Sequence, residues 1–296
     1  MVEIKSMKSK EIFLPFMDGR YRVEAGLIPL AKDRLKKIFD FDEEFSFYRG
    51  RKQVSRNNLG ETYPKDLLSQ EKKCFVQRWM INRLLKEWPT FFQSFQKKNE
   101  LHLNCALTNE ILRFSSDFKF INDGGYEDGI DALAQQLQED LAVWEINGRE
   151  NRMALCHLSF PNGWDVRSKM GKNFIQTHTP VADFENLEAK EKNLVETMVF
   201  KGPYARFAWG LQAHSQLRKD PGERAIQFQD ELENLYLRVE RQTLSPLSEI
   251  KCSFFTIRTY LYPLRSFKKD GQIRKSLLKA VESMSKDALR YKNILN

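Results

Sequence analysis

Few residues in this chain are placed to do chemistry. There are four histidines, His102, His157, His178 and His214. His178 lies in GKNFIQTHTPV, just after an expected short helix and just before Pro180. A proline holds the residue before it in extended geometry. A histidine beside such a rigid turn is well placed as a fixed ligand, and neutral imidazole is a common ligand for metals. The other three histidines stand in settings that packing or solvation accounts for.

A second feature is charge inside segments of strand character. In LYLRVERQTL, alternation puts Arg238, Glu240 and Gln242 on one face, and Leu237, Val239, Arg241 and Thr243 on the other. In SFFTIRTYLY, Arg258 shares a face with Phe254, Thr256, Tyr260 and Tyr262. Buried charge is costly unless it is paired. Two readings stay open: a structural ion-pair network involving acids such as Glu240, or an anion clamp. Arginine suits a clamp because its planar fork meets a carboxylate with two hydrogen bonds. Glu139 and Asp140, in QEDL, are either surface acids or a pair that orients a ligand or a cationic amine. Aromatic residues such as Trp144, Trp164, Phe160 and Phe174 crowd the central block. Core packing accounts for most of them, and such walls also suit a flat macrocycle.

The elements that position these residues can be read from periodicity. From Pro64 to about Lys97 the apolar spacing is helical, with Pro89 expected to kink or divide it. A second helical stripe runs from Tyr126 to Leu141. LAVWEINGRENRMALCHLSF then predicts a hairpin with a longer loop around Asn147-Gly148. Residues 184–200 read as a helix. ARFAWGLQAH, LYLRVERQTL and CSFFTIRTYLYPL read as strands, rich in aromatic and β-branched residues. A last amphipathic helix starts near Gln272. Helices at both ends and a mostly antiparallel sheet between them make an α+β plan. No repeat or linker divides the chain, so residues 1–296 are expected to form one domain.

Composition narrows the function. The chain has 296 residues, 41% hydrophobic and 30% charged, as in an ordinary folded globule. No apolar run is long enough to span a membrane. The start, MVEIKSMKSKEIF, lacks the apolar core of a secretory signal, so a cytoplasmic location is expected. The four cysteines show neither CxxC nor CxxCH, so they read as reduced thiols, with no covalent haem attachment and no zinc spacing. There is no G-x-G-x-x-G dinucleotide fingerprint, P-loop, H-E-x-x-H or G-x-S-x-G. Net charge is +8, and residues 265–296 hold nine Lys/Arg against three acids. That surface is a solvated helix face or a docking site for an acidic protein. Nucleic-acid binding would rest on charge alone and is not expected.

QEDLAVWEING, FPNGWDVRSKMGKNFIQTHTPV, YARFAWGL, LYLRVERQTL and FFTIRTYLYPL, in this order, resemble the haem-dependent oxidative N-demethylase α-subunit family. The resemblance runs from PFMDGRYRVEAGLIPL to FFTIRTYLYPL, most of the chain. It implies a PAS-like antiparallel sheet with flanking helices and a non-covalent haem b. It also implies oxygen-dependent N-demethylation of a small secondary amine such as dimethylamine, giving methylamine and formaldehyde. Electrons would come from NADPH through FMN and iron–sulfur groups on a separate reductase. By motif position, His178 is the iron ligand. Arg238, Arg241 and Arg258 are candidates for the haem propionates or their support, and Trp164, Lys169 and Gly171 for the pocket wall. The chain departs from the family pattern in having Ala182-Asp183 instead of Pro-Gly, Ala208 instead of Asn before Trp209, and Asn162 instead of Ser. The haem site is thus better matched than the amine specificity. A non-catalytic haem or small-molecule sensor of the same fold is the alternative.

Overall fold

The computed structural model describes residues 7–121, 124–148, 150–179, 181–182, 191–223, 226, 231–292 and 294. Its strands are β1 (Ile28–Pro29), β2 (Phe92–Lys97), β3 (Glu100–Cys105), β4 (Glu110–Ser115), β5 (Asp140–Asn147), β6 (Glu150–His157), β7 (Tyr204–Gln212), β8 (Tyr236–Leu247) and β9 (Cys252–Pro263). Its α-helices are α1 (Phe45–Ser55), α2 (Leu59–Thr62), α3 (Gln70–Glu87), α4 (Gly129–Ala134), α5 (Phe174–His178), α6 (Glu191–Phe200), α7 (Gly271–Glu282) and α8 (Lys286–Tyr291). The chain is α+β. None of the described helices is long and apolar enough to cross a membrane.

The main sheet runs β1-β7-β8-β9-β5-β6 with antiparallel neighbours. β8 and β9 pair along their whole length, from Tyr236↔Pro263 to Leu247↔Cys252. Period-two alternation gives the sheet two buried faces. One carries Ala142, Trp144, Leu244, Phe255 and Ile257, and packs on Phe174 of α5 and on Val195, Met198 and Val199 of α6. We call it the near face. The far face carries Leu141, Val143 and Phe254, packed on Val76, Met80, Ile81 and Leu84 of α3. Further along, Leu237 and Val239 meet Ala280, Met284 and Ala288 of α7 and its neighbourhood. A second sheet, β2-β3-β4, adds Phe92, Leu103, Leu112 and Phe114 to the α3 core.

Several boundaries differ from expectation, each for a local reason. α3 begins at a Ser69 cap that accepts from Lys72 N, and it stops at Glu87 before Pro89. Proline lacks the N–H and clashes with the preceding turn, so the chain leaves the helix and Phe92–Lys97 becomes β2. The Tyr126–Leu141 stripe is helical only over Gly129–Ala134, where the Asp128 carboxylate caps Ile130 N and Asp131 N. The β5–β6 hairpin is tight, pairing Asn147 with Glu150, with Gly148 at φ 65°. Glycine reaches that backbone region without steric cost. The C-terminal helix is two helices, the second opened by a Ser285 cap on Ala288 N. Of the helix expected over 184–200, Glu191–Phe200 is helical, and 184–190 lie outside the described residues.

Glu139 and Asp140 are fully buried, which corrects their reading as surface acids. Asp140 accepts from Ser159 N and Phe160 N, each at 2.8 Å, and so pins the end of β6. Glu139 Oε1 accepts from Asp40 N at 2.6 Å, while Oε2 has no partner among the described residues. Burial pushes the Glu139 carboxyl up to about 7, against the opposing pull of Arg258. The folded protein therefore keeps a proton there that the unfolded chain releases above its usual 4.5. Stability from this group is full at low pH and is lost as pH rises toward 7. Glu139→Gln is expected to flatten the fall in stability between about pH 4.5 and 7, by about 1–3 kcal/mol. Urea melts at several pH values check this, and an unchanged slope would refute it.

Candidate functional site

His178 ends α5, a five-residue helix held to the near face from both ends. At its start, Asn173 and Gln176 cap each other's backbone N–H groups, and Asn151 Oδ1 accepts from Phe174 N at 2.8 Å. Phe174 is buried against Trp144, with ring centroids 5.7 Å apart. At its end, Lys169 Nζ donates to Thr177 O at 2.5 Å. The His178 ring lies 4.2 Å from the Phe174 ring and near-parallel to Trp144 at 6.5 Å. Its Nδ1 lies 2.8 Å from Phe174 O. A carbonyl only accepts, so Nδ1 carries the proton and Nε2 keeps the lone pair. Burial, with Arg206 and Lys169 nearby, outweighs the Phe174 hydrogen bond and pushes His178 down to about 4. The imidazole is neutral at pH 7.

The proline-based account of His178 needs correction. Thr179, the residue before Pro180, is helical at φ −46° and ψ −36°, not extended. Pro180 itself lies outside the described residues, as does Asp183. The ring is fixed by the hydrogen bond to Phe174 and by aromatic contact.

The near face beyond His178 is polar along β8. Glu240 accepts from Arg238 Nε at 3.1 Å, Asn162 Nδ2 at 2.9 Å and Gln242 Nε2 at 3.0 Å. Burial pushes its pKa up, but Arg238, Lys292 and the Gln242 hydrogen bond together hold it below the ordinary carboxylate value. Ala208 pairs with Glu240 across β7 and β8 and offers no side-chain hydrogen bond there. Asn162, another departure from the family pattern, spends its amide on Glu240. Around this floor Ala208, Gly210, Gln242, Phe255 and Ile257 are only half-buried.

The three arginines singled out from the sequence do not gather around His178. Register places Arg241 and Arg258 on the far face, both fully buried. Arg241 meets Asp33 Oδ2 at 2.7 Å and donates to Lys37 O. Arg258 meets Asp42 Oδ2 at 2.8 Å and lies 3.8 Å from the Tyr48 ring centroid. For these two the ion-pair network replaces the clamp, because the sheet separates them from His178. Arg238 is on the near face, but it also donates to Leu217 O at 2.6 Å, Phe160 O at 2.9 Å and Thr259 Oγ1 at 3.2 Å. Its guanidinium is spent tying loops to the sheet. Trp164 packs at the edge of the near-face cluster and also lines a cleft of about 210 Å³ with Pro161, Arg167 and Arg218. Gly171, at φ 75°, turns the chain so that its N–H reaches Met153 O at 2.9 Å.

One near-face residue had no assigned role. Arg206 pairs with Gln242, and alternation along β7 turns it to the side of Ala208 and Gly210. Its signal lay in ARFAWG, where alternation puts the charge on one face with Ala208 and Gly210.

A neutral imidazole beside a half-open, aromatic-edged sheet face suits a protein that holds a flat prosthetic group. The comparison with known families agrees in kind. A family model described as haem-dependent oxidative N-demethylase, alpha subunit-like, matches residues 29–296, and the chain belongs to that family. The name carries haem dependence and oxidoreductase chemistry, and its subunit designation implies a partner subunit.

Proposed function

We propose that this chain binds haem b non-covalently through His178. With it the protein would remove a methyl group oxidatively from a small secondary amine such as dimethylamine. A separate cytoplasmic reductase bearing FMN and iron–sulfur groups would pass on electrons from NADPH. The observation that carries the reading is the His178 tautomer. Ligating histidines as a rule give their other N–H to a carbonyl or carboxylate, which fixes the ring and raises its basicity. Here Phe174 O takes that proton. His178 would be the residue that holds the iron, which would supply the oxygen chemistry. The sheet also supports the reading. Its five long strands pair in the order second, first, fifth, fourth, third, with α5 and α6 between the second and third, in keeping with a PAS-like sheet.

Haem, when bound, would supply oxygen activation: dimethylamine, O₂, two electrons and two protons give methylamine, formaldehyde and water. The chain's own residues do the holding. Lys169 braces α5 through Thr177 O. Trp144 and Phe174 set the tilt of the imidazole, and Trp164 adds to the apolar edge. The test is an absorption spectrum with and without dithionite and carbon monoxide, then formaldehyde release with candidate amines and a surrogate reductase. No Soret band with haemin supplied would refute the reading. Haem binding without turnover would favour the sensor, the alternative motivated by Ala208 and by the committed amide of Asn162.

The basic C-terminal helices are the proposed entry for electrons. Lys279, Lys286 and Arg290 are exposed. Lys292 connects this surface to the near face, because its Nζ donates to Trp209 O at 2.9 Å and lies in the field of Glu240. Opposite charge steers encounter with an acidic redox partner. Reversing the charge at Lys279, Lys286 and Arg290 is expected to slow reduction by roughly 10-fold at low salt and much less at high salt. Equal rates for the variant and the native protein at low salt would count against docking there.

A further inference from the structure

The arginine left over on the near face has a use that deepens the haem reading and rests on it. We infer that Arg206 is the anion anchor of the site, its guanidinium receiving a propionate carboxylate of the haem. Arg206 is short of protein partners. Its Nη2 reaches Glu24 O only at 3.4 Å, the limit of a hydrogen bond. Its Nε is buried with no hydrogen-bond partner among the described residues. Glu240 and Glu24 both act on the guanidinium, but Arg238, Asn162 and Gln242 already occupy Glu240, and Glu24 meets Arg206 through its backbone oxygen. An ionised carboxylate has about four lone-pair sites, so little of Glu240 is left for another guanidinium. Arg206 is half-buried, so its guanidinium still has donors to offer an arriving anion.

The placement fits a ligand held by His178. Both residues belong to the near face: Arg206 stands on β7, and His178 packs against Trp144 of β5. Arg238 is saturated, and Arg241 and Arg258 are behind the sheet. Haem offers two propionate carboxylates as its anionic groups, and a guanidinium meets a carboxylate with paired, charge-assisted hydrogen bonds.

The experiment is a titration of apoprotein with haemin and with haemin dimethyl ester, which lacks the carboxylates. Soret growth and tryptophan quenching would be followed for native protein, Arg206→Gln and Arg206→Lys. Native protein is expected to bind the ester roughly 10- to 100-fold more weakly than haemin. Arg206→Gln should bind haemin about as weakly as native protein binds the ester, with no further loss for the ester, and Arg206→Lys should recover part of the difference. Comparing the two porphyrins on native protein needs no substitution, so a variant that folds poorly does not spoil the test. Equal affinity of native protein for both porphyrins overturns the anchor while leaving the haem reading intact. So does a variant that keeps haemin affinity and changes only carbon monoxide binding, which would place Arg206 over the iron's open side. If native protein binds neither porphyrin, both readings fall.

Discussion

His178→Ala is expected to remove the Soret band that native protein develops with haemin, with affinity falling by more than about 100-fold. Losing only an outer partner of a metal ligand costs about 10- to 100-fold, and here the ligand itself goes. The fold should survive. α5 is held by Asn151, by its reciprocal Asn173–Gln176 cap and by the buried Phe174 ring, none of which needs the imidazole. Circular dichroism and thermal melting of apoprotein check that point. Added imidazole should restore a Soret band if the cavity persists, since the vacated space lies against the rings of Trp144 and Phe174. A variant whose Soret position and intensity match those of native protein would show that another residue holds the iron. A milder change, Phe174→Leu, keeps the carbonyl that fixes the tautomer and removes only the ring contact. It should therefore cost far less than His178→Ala.

The chain showed its architecture most plainly where strands are long and their alternation is strong. β7, β8 and β9 fall on the three segments expected to be strands, and the faces assigned to Arg238 and Arg241 are those observed. β2 was hidden because FQSFQK exposes nearly every residue, so no apolar rhythm marks it. The stripe from Tyr126 to Leu141 is apolar at helical spacing because all of Gly129–Ala134 is buried. Burial on every side looks the same in a helix and in the start of a central strand. The arginines were harder still. Arg241 and Arg258 find their acids 208 and 216 residues away in the chain, at Asp33 and Asp42. No local pattern separates a structural pair at that distance from an anion clamp. His178 was legible through its motif, but the contact that fixes its ring, Phe174 O four residues back, depends on α5 being helical there.

The far-face pair can be tested for both stability and role. Arg258 has no exposed surface, and beyond Asp42 it donates to Thr259 O at 3.1 Å and lies between the rings of Tyr48 and Tyr260. Asp42 is as buried, and its other oxygen accepts from Glu44 N at 3.0 Å and Gln138 Nε2 at 2.9 Å. Asp42→Ala leaves a guanidinium charge in the core and two donors without their acceptor, so a loss of about 3–5 kcal/mol is expected. Asp40 softens this, because its carboxylate also acts on Arg258. Arg258→Met combined with Asp42→Asn removes both charges and keeps the side-chain volumes close. That double variant should be more stable than Asp42→Ala, since an ion pair replaced as a unit costs little compared with one that is broken. Urea unfolding of Asp42→Asn, Arg258→Met and the pair together measures the coupling, and strictly additive losses would dissolve the pair. Haemin affinity then separates the two roles. With Arg258 behind the sheet from His178, the folded double variant should bind haemin within about twofold of native protein. A tenfold loss would return Arg258 to the haem site and overturn the separation of faces on which the assignment of Arg206 depends.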